Sequence, residues 1–346
     1  MGTYLITGGA GFFGSIMANY LLGKGHTCVS IDLVHSELEH ENFTPIQGDI
    51  RDTDLLEKTF SEYTFDAVFH FAAMLAHEKK MLKELWTSNV DGTQNILDMC
   101  VKHNVKKIIF TSSNCLWGKN FDEKVKEDEP PAPVEIYGKS KWEGEKILLS
   151  KPDQVHSVIF RCPTIMDEGR LGLLAILYQF VDENKRLWMV GKGNNTYQFI
   201  YAKDLAKACE LALDYNQSDV FNIGSDDVKS FNYTYQYVID HSDSKSKLGH
   251  LPPHLAKMAM KVSYFLGISP LGVYQYNMIS SSFVFDTTKI KEKLGWQPTL
   301  KNEEMLLRSY EYFHKNKEEI HNRKDVSAHN READMGLAIR ILNFFS

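Results

Sequence analysis

The sequence predicts an α/β fold with a parallel, doubly wound sheet, and three observations support this prediction. Strand-like and helix-like segments alternate through the first half of the chain, as in proteins built from βαβ units. A short apolar strand over 3–6 runs into the glycine-rich turn 7–14, and an apolar helix over 15–22 follows. A second strand, Thr27–Asp32, ends in an acid. This succession is typical of a Rossmann-type domain.

The glycine turn has the spacing of a dinucleotide-binding fingerprint. Gly8 allows the tight turn, Gly11 leaves room for a pyrophosphate, and Gly14 lets the helix pack closely on the sheet. Phosphates then lie at the helix N-terminus, where free N–H groups and the helix dipole favour negative charge. Asp32 suits the ribose hydroxyls of adenosine and repels a 2′-phosphate, and no arginine follows in 33–35. NAD is therefore favoured over NADP; the alternative is an ordinary βαβ unit with a glycine turn.

Length and composition exclude several classes of function. At 346 residues the chain is long for one domain and suits two that share an interface. A net charge of −6 offers no basic surface for nucleic acid. The five cysteines lack CxxC spacing and no signal segment precedes the first strand, which favours a cytoplasmic protein. No apolar run reaches the roughly 20 residues of a membrane span, and the histidines show no metal-ligand spacing.

Further strands deliver candidate ligand contacts to one edge of the sheet. A strand from 43 ends at Asp49 and Ile50, which we expect to flank an adenine. A fourth strand over 65–73 ends in Ala72 and Ala73, small enough for a cofactor to pass close by. After a helix over 88–103, the strand Lys107–Ser113 follows. In a doubly wound sheet, ligands bind at the carboxyl ends of the strands.

The second half of the chain has a looser pattern. A helix carries Tyr137 and Lys141, and a strand over 155–161 follows. Beyond these we expect a helix over 171–181, the strand Leu187–Val190, a helix over 204–213 and a strand over 220–224 that returns to the sheet. The predicted organisation is an NAD-binding domain over 1–165 to which 198–225 return, a smaller discontinuous substrate domain over 166–315, and a polar linker with an amphipathic tail over 316–346.

Tyr137 and Lys141 lie four residues apart on the predicted helix and therefore share a face. A free tyrosine has a pKa of about 10 and is a poor base at neutral pH, whereas a nearby ammonium and a positive nicotinamide ring favour the phenolate. Ser113, at the end of the preceding strand, can hydrogen-bond the same substrate hydroxyl. The alternative is an exposed helix with a partly buried tyrosine.

Taken together, these motifs resemble the extended short-chain dehydrogenases/reductases of the sugar-nucleotide epimerase/dehydratase type. The resemblance covers about residues 1–315 and implies a homodimer through helices 88–103 and 137–149. It implies Tyr137 as catalytic base, Lys141 as ribose anchor and Ser113 as the hydroxyl-polarising residue. The remaining residues that it implies for cofactor binding are Gly8, Gly11, Phe12, Phe13, Gly14, Asp32, Asp49, Ile50, Phe71, Ala72, Ala73, Asn89 and Cys162. For substrate binding they are Met74, Asn114, Cys115, Thr164 and Tyr197.

Three departures from the family pattern bear on the reaction. The family's 4,6-dehydratases carry Asp and Glu after the serine or threonine, whereas Asn114 and Cys115 follow Ser113 here, which disfavours dehydration. The nucleotide-sugar epimerases hold the diphosphate with two arginines, but the corresponding stretches are 196–198, which includes Tyr197, and 276–278. Thr164 replaces an asparagine that often contacts substrate.

The leading hypothesis is an NAD-dependent epimerase or oxidoreductase that acts on a nucleotide-linked sugar through a keto intermediate. The alternative is an enzyme similar to the 3β-hydroxysteroid dehydrogenases, which oxidise hydroxyls on lipidic molecules, because 251–276 and 335–345 are apolar. The tail over 335–345 then either lies in a membrane interface or docks on protein. A catalytically silent NAD-sensing scaffold is a third hypothesis, which intact Ser113, Tyr137 and Lys141 disfavour.

Overall fold

Seven strands form the central sheet of the protein. The computed structural model describes residues 1–75, 81–256, 258, 262 and 281–322. The strands of this sheet are β1 Thr3–Thr7, β2 Thr27–Asp32, β3 Phe43–Gln47, β4 Ala67–His70, β5 Lys107–Ser113, β6 His156–Cys162 and β10 Asp219–Asn222. They lie in the order β10-β6-β5-β4-β1-β2-β3, and all neighbours are parallel. The prediction of a doubly wound parallel sheet is confirmed, including the late strand that returns to its edge.

Helices cover both faces of the sheet and continue beyond it. The longer helices are α1 Phe12–Leu22, α2 Thr53–Glu62, α4 Gly92–Lys102, α5 Ile136–Leu148, α6 Leu174–Asp182, α7 Ala202–Leu211, α8 Phe231–Asp240 and α10 Asn302–Lys315. The shorter ones are α3 Leu82–Trp86, α9 Thr288–Leu294 and α11 Lys317–Asn322. Two short parallel pairs join β7 Thr164–Met166 to β9 Phe199–Tyr201 and β8 Leu187–Val190 to β11 Leu248–Leu251. Within the described ranges, none of the helices has the length and apolarity that crossing a membrane requires.

The alternation of side chains along the strands builds one core on each face. In β5, Ile109 points to the face that α1 and α7 cover, while Ile108 and Phe110 point to the face that α2, α4 and α5 cover. All seven residues of β5 are buried, and its apolar residues Ile108, Ile109 and Phe110 follow one another because both faces of the strand are covered. A third apolar cluster, which includes Tyr178 and Phe313, lies among α6, α8 and α10.

The order of the strands reverses beside β1, and this position defines the ligand crevice. From β1 the chain builds outward to β2 and β3, and then returns to place β4, β5, β6 and β10 on the other side. Ligands of open α/β sheets bind outside the carboxyl ends of the strands at such a reversal. The neighbouring ends here are Thr7 beside His70 and Ser113 beside Cys162.

Two predicted strands end earlier than expected. β4 stops at His70; just beyond it the N–H of Phe71 donates to the Thr7 carbonyl at 3.1 Å, and the N–H of Ala72 donates to the Thr7 hydroxyl at 3.2 Å. β3 stops at Gln47, so Asp49 and Ile50 follow the strand in a turn that leads to α2. The predicted helix over 88–103 begins as a π-helical turn, Thr87–Asp91, and continues as α4.

Candidate active site

The glycine turn forms a tight cradle at the N-terminus of α1. Gly8 has a φ of 76°, and a Cβ there would lie 2.7 Å from the backbone N of Ala72. A Cβ on Gly14 would lie 2.0 Å from the Gly8 carbonyl oxygen, so only glycine lets α1 start this close to the turn. Gly11 is the N-cap of α1 and contributes no side-chain hydrogen bond. The helix N-terminus is thus available to an anion approaching from the crevice.

Asp32 lies beside this cradle at the end of β2. Its Oδ2 accepts a hydrogen bond from the N–H of Ala10 at 3.0 Å, and its Oδ1 accepts one from the N–H of Val34 at 3.1 Å. These bonds hold the carboxylate in a fixed orientation against the glycine turn. Each carboxylate oxygen has a second lone pair, so the group can still accept two ribose hydroxyls.

The residues predicted to flank an adenine have other partners as well. The carboxylate of Asp49 receives the Arg51 guanidinium, with Nε at 3.0 and 2.9 Å from its two oxygens. This pairing holds the pKa of Asp49 below its usual value. Ile50 is 5% exposed and packs against Gly92 at the start of α4. The side chain of Ile50 therefore lies in the core.

Aromatic side chains connect the cradle to the end of β4. The rings of Phe13 and Phe71 meet edge to face with their centroids 4.8 Å apart, and Phe13 is buried. Phe12, the first residue of α1, is also buried. Ala73 is exposed, whereas the backbone of Ala72 packs against Gly8.

A buried hydrogen-bond chain through His70 fixes the two strand ends beside the cradle. Thr93 Oγ1 donates to the Asn89 carbonyl at 2.6 Å, so it must accept from His70 Nε2, which is 2.8 Å away. His70 Nδ1 is therefore the acceptor for the Thr7 hydroxyl at 2.7 Å. Thr7 Oγ1 in turn accepts from the N–H of Ala72. Every member of the chain is satisfied only when His70 is neutral.

Replacing His70 by glutamine should change how stability depends on pH. Burial, reinforced by the charge of Lys141, lowers the pKa of His70 to about 3, whereas the unfolded chain has a histidine pKa of about 6.5. Between these two pKa values only the unfolded state takes up the proton. The stability that the buried neutral His70 contributes is therefore complete above pH 6.5 and is lost as the pH falls. The stability advantage of wild type over His70→Gln should shrink by about 1.4 kcal/mol per pH unit below about pH 6. Urea unfolding at pH 7, 6 and 5 measures this, and a constant difference would contradict it.

Asn89 connects the loop after β4 to the helix that carries Tyr137. Its Oδ1 accepts from the N–H of Met74 at 2.7 Å, and its Nδ2 donates to the Met74 carbonyl at 3.1 Å. The same Nδ2 donates to Ser140 Oγ at 3.0 Å, and Ser140 donates to the carbonyl of Tyr137. Asn89 thus holds the backbone of Met74 in place at the edge of the crevice.

Close packing of α5 brings Tyr137 to the end of β5. A Cβ on Gly138 would lie 2.1 Å from the Cys115 carbonyl oxygen, so the helix rests directly on the short 3₁₀ turn Asn114–Leu116. Ser113 caps that turn, with its Oγ accepting from the N–H of Cys115 at 3.1 Å. The neighbouring strand end contributes Cys162, which is buried. This packing brings the start of α5, with Tyr137 next to Gly138, close to the turn that Ser113 caps and that includes Cys115.

The charges around Tyr137 differ from the simple picture of a Tyr–Lys pair. Burial raises the pKa of Tyr137, and the positive charge that opposes this rise comes from Arg170. Lys141 is directed towards β5: its Nζ donates to the Thr111 carbonyl at 2.8 Å and lies 4.5 Å from the ring centroid of Phe110. Burial lowers the pKa of Lys141 to about 8, so the ammonium still predominates at neutral pH.

A second polar group borders the same point of the crevice. Asn114 Nδ2 donates to the Tyr197 hydroxyl at 2.7 Å, and Thr164 Oγ1 is 3.4 Å from that hydroxyl. Three predicted substrate residues, which come from three separate segments, are thereby brought together.

Sequence reasoning missed Arg170, in the loop between β7 and α6. Its guanidinium stands 5.6 Å from the centroid of Phe12, and its charge acts on Tyr137, Tyr178 and Tyr197. The one available signal is an arginine directly before the apolar segment that forms α6, which by itself does not indicate where the side chain points.

Comparison with known proteins identifies the family. The profile described as the NAD dependent epimerase/dehydratase family matches residues 4–224. The chain belongs to this family. An uncharacterised Sinorhizobium fredii protein, y4nG, is 32% identical over 91% of this chain and 79% of its own length. The UDP-glucose 4-epimerase of Lactobacillus helveticus is 26% identical over 90% of this chain and 96% of its own. The crystal structure of Thermotoga maritima UDP-glucose 4-epimerase with UDP-glucose superposes with a TM-score of 0.74, at 25% identity, over 91% of this chain and 99% of the other.

Membership of the epimerase/dehydratase family establishes an NAD-dependent enzyme that acts on sugar nucleotides. The residues present fit that cofactor. Gly14 packs closely against Gly8, and neither glycine places a side chain over the N-terminus of α1, where a pyrophosphate would bind. Asp32 lies beside the glycine turn and has free lone pairs for the hydroxyls of a ribose. When bound, NAD supplies a reversible acceptor of hydride.

Proposed function

We propose that this enzyme is an epimerase, or a closely related oxidoreductase, that acts on one hydroxyl of a nucleotide-linked sugar through a keto intermediate. The observation that supports the proposal is the close packing of α5, at the residue after Tyr137, on the turn that Ser113 caps, which the contact of Gly138 with Cys115 defines. This arrangement offers a hydrogen-bond donor and a base to one substrate hydroxyl.

In this proposal Tyr137 removes the proton of the sugar hydroxyl and later returns it. Its raised pKa means that the phenolate needs help from positive charge, and the charge of Arg170 opposes the rise. Ser113 holds the hydroxyl by a hydrogen bond during proton transfer. The resulting keto sugar can turn within the crevice and be reduced on its other face, so epimerisation needs no net oxidant.

The residues after Ser113 disfavour the elimination of water. Asn114 carries no titratable proton, and its amide is engaged with the Tyr197 hydroxyl at 2.7 Å. Cys115 follows it, so the pair of carboxyl groups that the family's dehydratases place here is missing. A 4-epimerase is also the activity named for the Lactobacillus helveticus relative, which makes UDP-glucose the first substrate to test.

A lipid-linked hydroxyl is the second candidate substrate. Leu255, Met258 and Val262 are 60%, 60% and 51% exposed, and their spacing suits one face of a helix. Such a face favours contact with an apolar molecule. Residues 257, 259–261 and 263–276 of the predicted apolar segment, like the amphipathic tail over 335–345, lie outside the described residues.

The predicted organisation of the chain is part of the same proposal. We assign residues 1–165 and 198–225 to the NAD-binding domain and 166–315 to the substrate domain. α4 and α5 remain the proposed surfaces of a homodimer. Sedimentation of the purified enzyme tests the oligomeric state.

Conversion of a panel of nucleotide-linked hexoses, hexosamines and uronic acids tests the function. The purified enzyme with NAD should form an isomer of at least one member while absorbance at 340 nm stays flat, because the hydride returns to the sugar. Stoichiometric growth of NADH with a released keto sugar would indicate the oxidoreductase instead. If no nucleotide sugar is converted and a hydroxysteroid or lipid-linked alcohol is, the leading proposal is wrong.

A further inference from the structure

Arg170 is a partly buried cation that lacks a counterion among the described residues. Its Nε is buried and has no hydrogen-bond partner there. The acids nearest in sequence, Asp167 and Glu168, face Arg308 instead, whose Nε is 3.9 and 2.8 Å from their carboxylate oxygens. Desolvating a charge without a partner is costly. A buried guanidinium without a counterion is suited to bind an anionic group of a ligand.

The surroundings of Arg170 place that ligand in the crevice. The guanidinium stands over the ring of Phe12, the first residue of the helix that forms the nucleotide cradle. Its charge acts on Tyr137, Tyr178 and Tyr197. Burial lowers the pKa of Arg170 to about 10, so it stays charged at neutral pH. The side chain thus lies between the cofactor cradle and the proposed base.

The position of Tyr197 explains why a cation is needed here. Tyr197 occupies the stretch where the family's epimerases carry one of the arginines that hold the diphosphate. Its hydroxyl accepts from Asn114 and lies 3.4 Å from Thr164 Oγ1, so it contributes hydrogen bonds but no charge. Arg170 comes from a different loop, yet its charge reaches Tyr197.

We propose that Arg170 binds an oxyanion of the substrate, replacing the charge that an arginine at the position of Tyr197 would supply. The guanidinium presents paired N–H donors that match a phosphoryl or a carboxylate group. The anion is either the diphosphate of the nucleotide or a carboxylate on the sugar. The inference rests on the proposed function, because both sources belong to a nucleotide sugar.

Binding without turnover tests this site. Calorimetry of the NAD-loaded enzyme would compare UDP, dTDP, GDP and CDP, then the corresponding glucose and glucuronate conjugates, for wild type, Arg170→Gln, Arg170→Lys and Arg308→Gln. Losing a hydrogen-bonded ion pair should weaken binding about 10- to 100-fold in Arg170→Gln. Arg170→Lys should recover part of the loss, and the exposed Arg308→Gln is the matched control with unchanged affinity. NAD affinity and thermal unfolding measured in parallel show that each variant is folded.

The pattern of losses identifies the source of the anion. Weaker binding of a free nucleoside diphosphate assigns the diphosphate, whereas weaker binding of the glucuronate conjugate alone assigns a carboxylate. Unchanged affinities in Arg170→Gln, a loss confined to NAD, or no nucleotide binding by wild type would overturn the inference. Because the assay needs no turnover, nucleotide binding that depends on Arg170 would stand even if the panel showed no epimerisation.

Discussion

Replacing Tyr137 by phenylalanine should reduce kcat by about 10²- to 10⁴-fold, the usual contribution of a positioned proton-transfer group. The change removes one oxygen and leaves the ring, so the packing of α5 against the Asn114–Leu116 turn is retained. NAD affinity and the unfolding temperature should therefore change little. Steady-state assays on the substrate that the panel identifies measure the effect.

Tyr215→Phe is the matched control for this experiment. Its hydroxyl donates to Asp219 at 2.9 Å near the β10 edge of the sheet, so the variant loses a tyrosine hydroxyl at a distance from Ser113. We expect activity to stay within twofold of wild type, in line with a surface change of small effect. A Tyr137→Phe enzyme that keeps more than a tenth of the wild-type rate would contradict the role of Tyr137 as base.

Replacing Glu145 by alanine should destabilise the protein by about 3–5 kcal/mol, because it leaves a buried cation unpaired. Glu145 and Arg161 have side chains that are 0% and 4% exposed. Arg161 Nε lies 3.0 Å from one carboxylate oxygen and its second terminal nitrogen 2.8 Å from the other. The guanidinium also donates to the Glu127 carbonyl and stacks over Trp117. This pair ties α5, the helix that carries Tyr137 and Lys141, to β6.

Glu143, two residues earlier on the same helix, offers the control. It pairs with Lys146 at the surface, where both side chains are at least a third exposed, so Glu143→Ala should change stability by less than about 1 kcal/mol. Urea unfolding midpoints compare the two variants. The double replacement Glu145→Leu with Arg161→Met should recover most of the loss, since it removes both charges. If Glu143→Ala and Glu145→Ala lowered the unfolding midpoint equally, the Glu145–Arg161 pair would not stabilise the protein more than a surface pair does.

The fold could be predicted because its signals are local in the sequence. Strand, glycine turn and helix follow one another over residues 3–22, and the apolar residues 108–110 within Lys107–Ser113 indicate a strand that is buried on both faces. The four-residue spacing of Tyr137 and Lys141 likewise needs only the geometry of one helix. Such patterns do not depend on how distant segments meet.

The details of the site depend on tertiary contacts and could not be predicted in the same way. Asp49 is paired with Arg51, and Lys141 donates to a strand carbonyl, because each lies beside a partner that the fold supplies. Arg170 is surrounded by Phe12 and three tyrosines that come from four separate segments. The N–H of Ala72 donates to the Thr7 hydroxyl, which lies 65 residues earlier in the chain. None of these tertiary contacts produces a periodic pattern in the sequence.

Isotope retention tests the central claim most directly. The nucleotide sugar that the panel identifies would be prepared with deuterium on the carbon whose configuration inverts, and converted by the NAD-loaded enzyme in ordinary water. If oxidation and reduction occur at that carbon within one crevice, the product isomer keeps its deuterium and acquires no solvent hydrogen there. Replacement of the deuterium by solvent hydrogen would indicate proton abstraction from carbon, and would contradict Tyr137-assisted hydride transfer.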